Sequence, residues 1–415
     1  MAICRVPDDL ASVTSLGPEE SLDGTGVDRD SIEVIWSAAE ALYRTGVTPA
    51  LQLCIWKSGR VVLNRALGHA RGNAPGDSPD GPKVAATPTT PINIFSSAKL
   101  VTAMVIHKLD ELGVLHLEDR VCEYIPEFGL HKKQWITLRH LLSHRAGIPN
   151  IPPELLDLDL LDQPEQICKI LCEMEPTTRP GSLVAYHAIS GGFILAEVVR
   201  RATGNSIREV LDKEIRQPLG LEWFHYGVPA EDVHRVALNA FTGPPPPPPI
   251  RPMLKRALGR PLAEIVEMSN DPRFLAGIVP SGNLITTARD LSAFLECMLR
   301  EGELDGRRVF QPATIRHALN EASYRNLDLT LFVPLRFGLG PMLGDAPLGI
   351  FGRNTSRAFG HLGLSNIFPW ADPEREISVA LLTTGKPVLS LHAIRLVQLL
   401  RAIGAAFPRT RTASA

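Results

Sequence analysis

No stretch of this 415-residue chain approaches the roughly 18 uncharged apolar residues that a helix needs to cross a bilayer. The opening residues, Met1-Ala2-Ile3-Cys4-Arg5-Val6-Pro7-Asp8-Asp9, lack a basic segment followed by an apolar one. No secretory signal is read, and a cytoplasmic, reduced setting is expected. An excess of charge is missing too. The net charge is −2, so no broad basic field draws nucleic acid or an anionic membrane. Cysteine is scarce. Cys4, Cys54, Cys122, Cys168, Cys172 and Cys297 are scattered, and in apolar runs such as Leu51-Gln52-Leu53-Cys54-Ile55 they behave as small buried hydrophobes rather than a disulfide framework. Cys168 and Cys172 stand one helical turn apart, but no matching ligands elsewhere complete a metal site.

Two catalytic signatures are absent as well. There is no Gly-x-Ser-x-Gly, the nucleophile elbow of α/β-hydrolases. His140 and His144 have the spacing of zinc ligands, but Leu141 stands where the His-Glu-x-x-His pattern needs its glutamate. Both histidines are therefore expected to cap or pack a helix end. No internal repeat is found, and neither metal nor cofactor is called for.

What remains is the balance of an ordinary globular protein, with 44% hydrophobic and 21% charged residues. Residues 1–29 are rich in Asp, Glu, Ser and Gly and read as a loose leader. Ile32, Val34, Ile35, Ala38, Ala39 and Leu42 form a stripe of helical period. Leu51–Trp56 and Arg60–Leu67 read as two strands around the turn Lys57-Ser58-Gly59, and residues 72–88 as a surface loop. The clearest helix spans Ser96–Leu112, ended by Gly113. Another is expected over Ile136–His144, and most of residues 155–235 looks helical.

Gly243 is followed by six prolines, Pro244–Pro249, with Pro252 close behind. Such a run is a stiff polyproline II segment, read here as a loop over 243–252. It would serve as a surface linker, a ligand for a proline-binding domain, or a flap over a site. Near the C-terminus, Ser365–Trp370 and Ile377–Thr383 form a hairpin pattern, and Leu389–Ala402 a last amphipathic helix. With strands at both ends and helices between, the pattern implies an α+β fold: one antiparallel sheet built from both chain ends with flanking helices, plus an inserted, mainly helical lobe. The sheet lobe is assigned to 30–95 and 280–415, and the helical lobe to 96–279.

The chemistry begins at Ser96-Ser97-Ala98-Lys99. Spacing of three puts Ser96 and Lys99 on one helix face. A hydroxyl is a weak nucleophile until a base takes its proton, and a lysine serves if burial or a nearby cation lowers its pKa. The helix start adds free N–H groups near an attacked carbonyl. Three further segments follow in order: Tyr186-His187-Ala188 between Pro180-Gly181 and Ser190-Gly191-Gly192, then Ser281-Gly282-Asn283, then Gly360-His361-Leu362-Gly363-Leu364 before the hairpin.

This ordered set resembles the class C β-lactamase and D-alanyl-D-alanine carboxypeptidase superfamily, and most closely its esterase branch, the family VIII carboxylesterases, over residues 30 to 400. The resemblance implies a β-lactamase/transpeptidase-like fold and an acyl-enzyme on Ser96. It casts Lys99 as the cation or base beside the nucleophile. Tyr186 becomes the base for Ser96 and the acid for the leaving group, its phenol poised by a cation such as Lys99. His361-Leu362-Gly363 resembles the Lys-Thr-Gly motif, and the N–H groups of Ser96 and Leu364 would form the oxyanion hole.

Two positions depart from the pattern. Ala188 replaces the Asn that in the family holds a polar acyl side chain, and His361 replaces the lysine that would meet a β-lactam carboxylate. Both changes favour neutral, short-chain esters. The expected partner is thus a small-molecule ester, with neither nucleic acid nor membrane. The alternatives are β-lactamase or D,D-peptidase activity, acyl transfer to an alcohol, or a binding protein that keeps the fold without catalysis. Trp370 and Tyr226 are candidates for an acyl pocket.

Overall fold

The computed structural model describes residues 2–248 and 250–409. Its centre is a ten-stranded sheet that both chain ends supply. From one edge the order runs Thr14–Leu16, Arg60–Arg71, Ala50–Lys57, Ile377–Thr383, Phe368–Asp372, Phe359–Gly360, Met342–Leu343, Pro334–Phe337 and Ser323–Leu327, every neighbour antiparallel. The tenth strand, Val84–Ala85, pairs with Arg60–Arg71 off this path.

Side chains on a strand alternate between faces, and here both faces are covered. From Ala50–Lys57, Leu51, Leu53 and Ile55 enter one core, and Cys54 and Trp56 the other. The pairing keeps that order, with Leu53 opposite Leu381 and Ile55 opposite Val379. This explains why the central strands read as nearly continuous apolar runs. Helices Arg29–Tyr43 and His392–Ala406 pack on each other over the first face. The first begins at Asp28, whose carboxylate accepts the Ser31 N–H, and buries Ile32, Ile35, Ala39 and Leu42 on one stripe. Helix Ala288–Leu299 covers the other face.

Residues 1–29, expected to be a loose leader, are in part tied to this sheet. Thr14–Leu16 pairs with Arg65–Leu67 as its edge strand, and Glu19 bonds the Arg65 guanidinium at 2.8 Å. Arg65 also meets Glu33 at 2.7 Å. The segment is held by backbone pairing, by charge and by scattered apolar contacts such as buried Leu10, so it has no regular hydrophobic period to read. The proline-rich loop is shorter than expected: a helix starts at Ile250 and runs to Leu258, and Pro249 lies outside the described residues, as do 410–415. Among the described residues no helix is long and apolar enough to cross a membrane.

Candidate active site

Where the chain leaves the short strand Ile92–Asn93, it makes a single tight turn before a deeply buried helix. Phe95–Ser97 is a 3-10 turn and Ala98–Glu111 the helix, so Ser96 lies just before the helix proper rather than within it. Phe95 takes φ +48°, a left-handed value that costs a non-glycine residue free energy and is found at functional turns. The Asn93 side chain holds the turn by accepting the Phe95 N–H at 3.2 Å. From the far end of the sequence, the His361 carbonyl accepts the Ser97 hydroxyl at 2.7 Å. The serine turn and the His361 segment are thereby fixed to each other.

Lys99 is buried below Ser96. Its ammonium nitrogen lies 3.3 Å from Ser96 Oγ and donates to the Ser281 carbonyl at 3.0 Å. No carboxylate pairs with it among the described residues. Desolvation therefore acts on the charged form unopposed and pulls the Lys99 pKa down to about 7. Tyr186 completes the group, with its ring centroid 4.8 Å from Lys99 Nζ. Burial pushes its phenol well above the ordinary value, and a hydrogen bond with Ser96 offsets this in part. The two shifts favour a neutral amine beside a protonated phenol. Such a lysine is able to take a serine proton.

The expected ionisation of Tyr186 thus differs from what burial favours. The sequence suggested a phenol lowered by a lysine cation, but the burial that raises the phenol also weakens the hold of the lysine on its proton. Tyr186 sits on an irregular segment rather than a helix. Asp328 fixes that segment by accepting the Tyr186 N–H at 3.2 Å, and the same oxygen takes the Thr330 and Leu331 N–H groups. Nothing in the sequence flagged Asp328, because its partner lies 142 residues away with no motif joining them. Ser281 was noted for its motif, but its role as the acceptor for Lys99 was not legible.

Three histidines surround the pair. His361 is fully buried, with Nδ1 2.8 Å from the Leu362 carbonyl, and burial holds its pKa down to about 3. The His144 ring lies 4.7 Å from the Tyr186 ring, tilted by 50°, and His187, held down to about 4 by burial, receives the Ile148 N–H at 3.1 Å. The expected helix over Ile136–His144 is only Leu138–Leu142. His144 follows it with φ +57°, so His140 and His144 do not share a helix face. His140 does cap, receiving the Thr137 N–H at 3.2 Å, while His144 turns in toward Tyr186.

Ser96, Leu364 and Ala188 line one cavity of about 100 Å³. Its remaining walls are almost entirely apolar, among them Phe193, Ile189 and Val279. Gly363 sits so close to the Ile94 carbonyl that a side chain there would collide with it, which keeps the Leu364 backbone beside the serine turn. Trp370 and Tyr226 take no part. Trp370 is in the sheet core against Phe351, and the Tyr226 hydroxyl bonds Thr102 at 2.6 Å.

The model of the beta-lactamase family matches residues 37–402. The chain belongs to that family. The esterase/beta-lactamase LipL of Mycobacterium tuberculosis is 29% identical over 306 residues, covering 69% of this chain and 68% of LipL. A penicillin-binding protein homologue from Caulobacter crescentus superposes with a TM-score of 0.76 at 27% identity, over 92% of this chain and 98% of that one. A family VIII carboxylesterase superposes equally well, with a TM-score of 0.76, 25% identity, 91% of this chain and 98% of the other. These relatives place the chain in the serine beta-lactamase and transpeptidase superfamily, on its esterase side, as the ordered motifs implied. The α+β fold is that of the same neighbours.

Proposed function

We propose that this beta-lactamase-family protein is a serine hydrolase that cleaves short-chain carboxylic esters through an acyl-enzyme on Ser96. The observation that carries the reading is Lys99 Nζ at 3.3 Å from Ser96 Oγ with its pKa lowered to about 7 by burial. Ser96 attacks the ester carbonyl and Lys99 takes its proton. Tyr186 passes its proton to the leaving alkoxide and regains one from the attacking water, and Lys99 returns the serine proton to Ser96 Oγ as the acyl group leaves. The N–H groups of Ser96 and Leu364 receive the developing oxyanion. Water then releases the acid and restores the serine.

Substrate choice follows from the walls. Ala188 offers no amide to a polar acyl side chain. His361 is uncharged at neutral pH, so it gives no cation to a β-lactam carboxylate. His361 and Gly363 instead shape the site beside Ser96. The family VIII neighbour and the esterase/beta-lactamase LipL support an esterase assignment.

The test compares p-nitrophenyl butyrate and nitrocefin on one preparation of wild type and Ser96→Ala. The ester should give far the higher kcat/KM, and Ser96→Ala should lower it by several orders of magnitude, about the scale of a lost nucleophile. Equal or greater kcat/KM for nitrocefin would restore the β-lactamase reading. Near-full ester activity in Ser96→Ala would remove the nucleophile assignment.

A further inference from the structure

The cavity at Ser96 is bounded in part by a segment that the proline run introduces. The segment begins at Gly243, which pairs with Ala2, and includes the helices Ile250–Leu258 and Leu262–Met268. It ends where Asn283 holds the Phe274 and Gly277 carbonyls at 2.7 and 2.8 Å. Both ends are pinned. Between them the segment acts as a cap: Leu258, Ile265 and Met268 all face the cavity beside Ser96. At the turn between its helices, Gly259 has φ +78° and abuts Leu156.

On the surface, the same cap borders a second space, a groove of about 540 Å³. Its lining is mostly charged, with Asp157, Arg260, Glu264, Glu267, Asp271 and Arg273. Three side chains line both spaces: Leu156, Leu158 and Met268. They form a partition one side chain thick between an apolar chamber at the nucleophile and a much larger polar groove. Ser96 lines the chamber and not the groove, so a group bonded to Ser96 Oγ has the chamber beside it.

Resting on the esterase reading of Ser96, we infer that the partition of Leu156, Leu158 and Met268 sets the longest acyl chain this protein accepts. The chamber of about 100 Å³ corresponds to about three water-sized volumes. A butyryl-sized group fills it. A longer chain meets the partition and cannot pass without displacing it, and beyond it lies a charged lining that gives an apolar chain nothing. Met268 and Leu158 are only partly buried, so shortening Met268 opens the passage without emptying the protein core.

Ethyl p-nitrophenyl alkylphosphonates with methyl, butyl or octyl on phosphorus test this directly. Ser96 Oγ forms the new bond to phosphorus, p-nitrophenolate leaves with the electron pair of the broken P–O bond, and the seryl proton passes to Lys99. Labelling of Ser96 is read by mass spectrometry and its rate by released nitrophenolate. In wild type the butyl probe should react at least about tenfold faster than the octyl probe, on the scale of excess methylenes in a closed pocket. Met268→Ala should raise the octyl rate by about tenfold and bring the octyl-to-butyl ratio toward one. Leu156→Ala should act in the same direction, which guards against a variant that folds poorly. An unchanged octyl-to-butyl ratio in both variants, with Ser96 still labelled, would overturn the partition. Failure of every probe to label wild-type Ser96 would instead overturn the nucleophile reading on which it rests.

Discussion

Acylation should depend on pH through one group. Lys99 must be neutral to accept the Ser96 proton, and burial lowers its pKa from 10.5 to about 7. A simple titration then leaves about a tenth of the lysine neutral at pH 6, about half at pH 7 and about nine tenths at pH 8. The neighbouring titratable rings contribute nothing in that window. His361 and His187 are held down to about 3 and about 4, His144 is also well below its usual value, and burial pushes Tyr186 upward. The kcat/KM for p-nitrophenyl butyrate, which reports groups of the free enzyme, should therefore climb about tenfold per pH unit below 7. It should level off by about pH 8 and stay level through pH 9. The measurement is initial rates at low substrate from pH 5 to 9, with nitrophenol release corrected for its own ionisation. A flat profile, or a rise centred near the ordinary lysine value, would refute the argument that an unpaired, desolvated Lys99 is the base.

The same burial has a stability signature. Because the folded-state pKa of Lys99 lies below its unfolded value, the unfolded chain binds the extra proton between about pH 7 and 10.5, so stability rises with pH across that window. Lys99→Met removes the penalty. It should unfold at higher temperature than wild type at pH 7, by at most about 5 kcal/mol less about 1 kcal/mol for the lost bond to Ser281, while losing activity. A lower Tm in thermal melts would show that the ammonium is stabilising where it stands. Tyr186→Phe should cripple acylation, and combining it with Lys99→Met should cost little more than either change alone, because residues that act as a unit are not additive. Losses in kcat/KM that multiply would separate the two proton paths.

Local chemistry made much of this legible beforehand. The Ser-x-x-Lys spacing needs only one helical turn to bring Ser96 and Lys99 together, and alternation in Leu51–Trp56 needs only the strand period. The order of Tyr186 and His361 behind them was enough to name the family. Contacts across long sequence separations were not legible. Asp328 fixes Tyr186 through a backbone bond, the Ser281 carbonyl accepts a hydrogen bond from Lys99, and Thr14–Leu16 joins the sheet through backbone pairing. Backbone groups are the same at every residue, so such partners leave no mark on the sequence. Ionisation belongs to the same class. The ordered motifs put Lys99, Tyr186 and His361 within reach of one another, but which of them carries charge depends on how much water and which counter-charges the fold leaves beside each. Tertiary structure alone decided that Lys99 stands desolvated without a carboxylate among the described residues, and that Met268, about 170 residues from Ser96 in the chain, walls the cavity at Ser96.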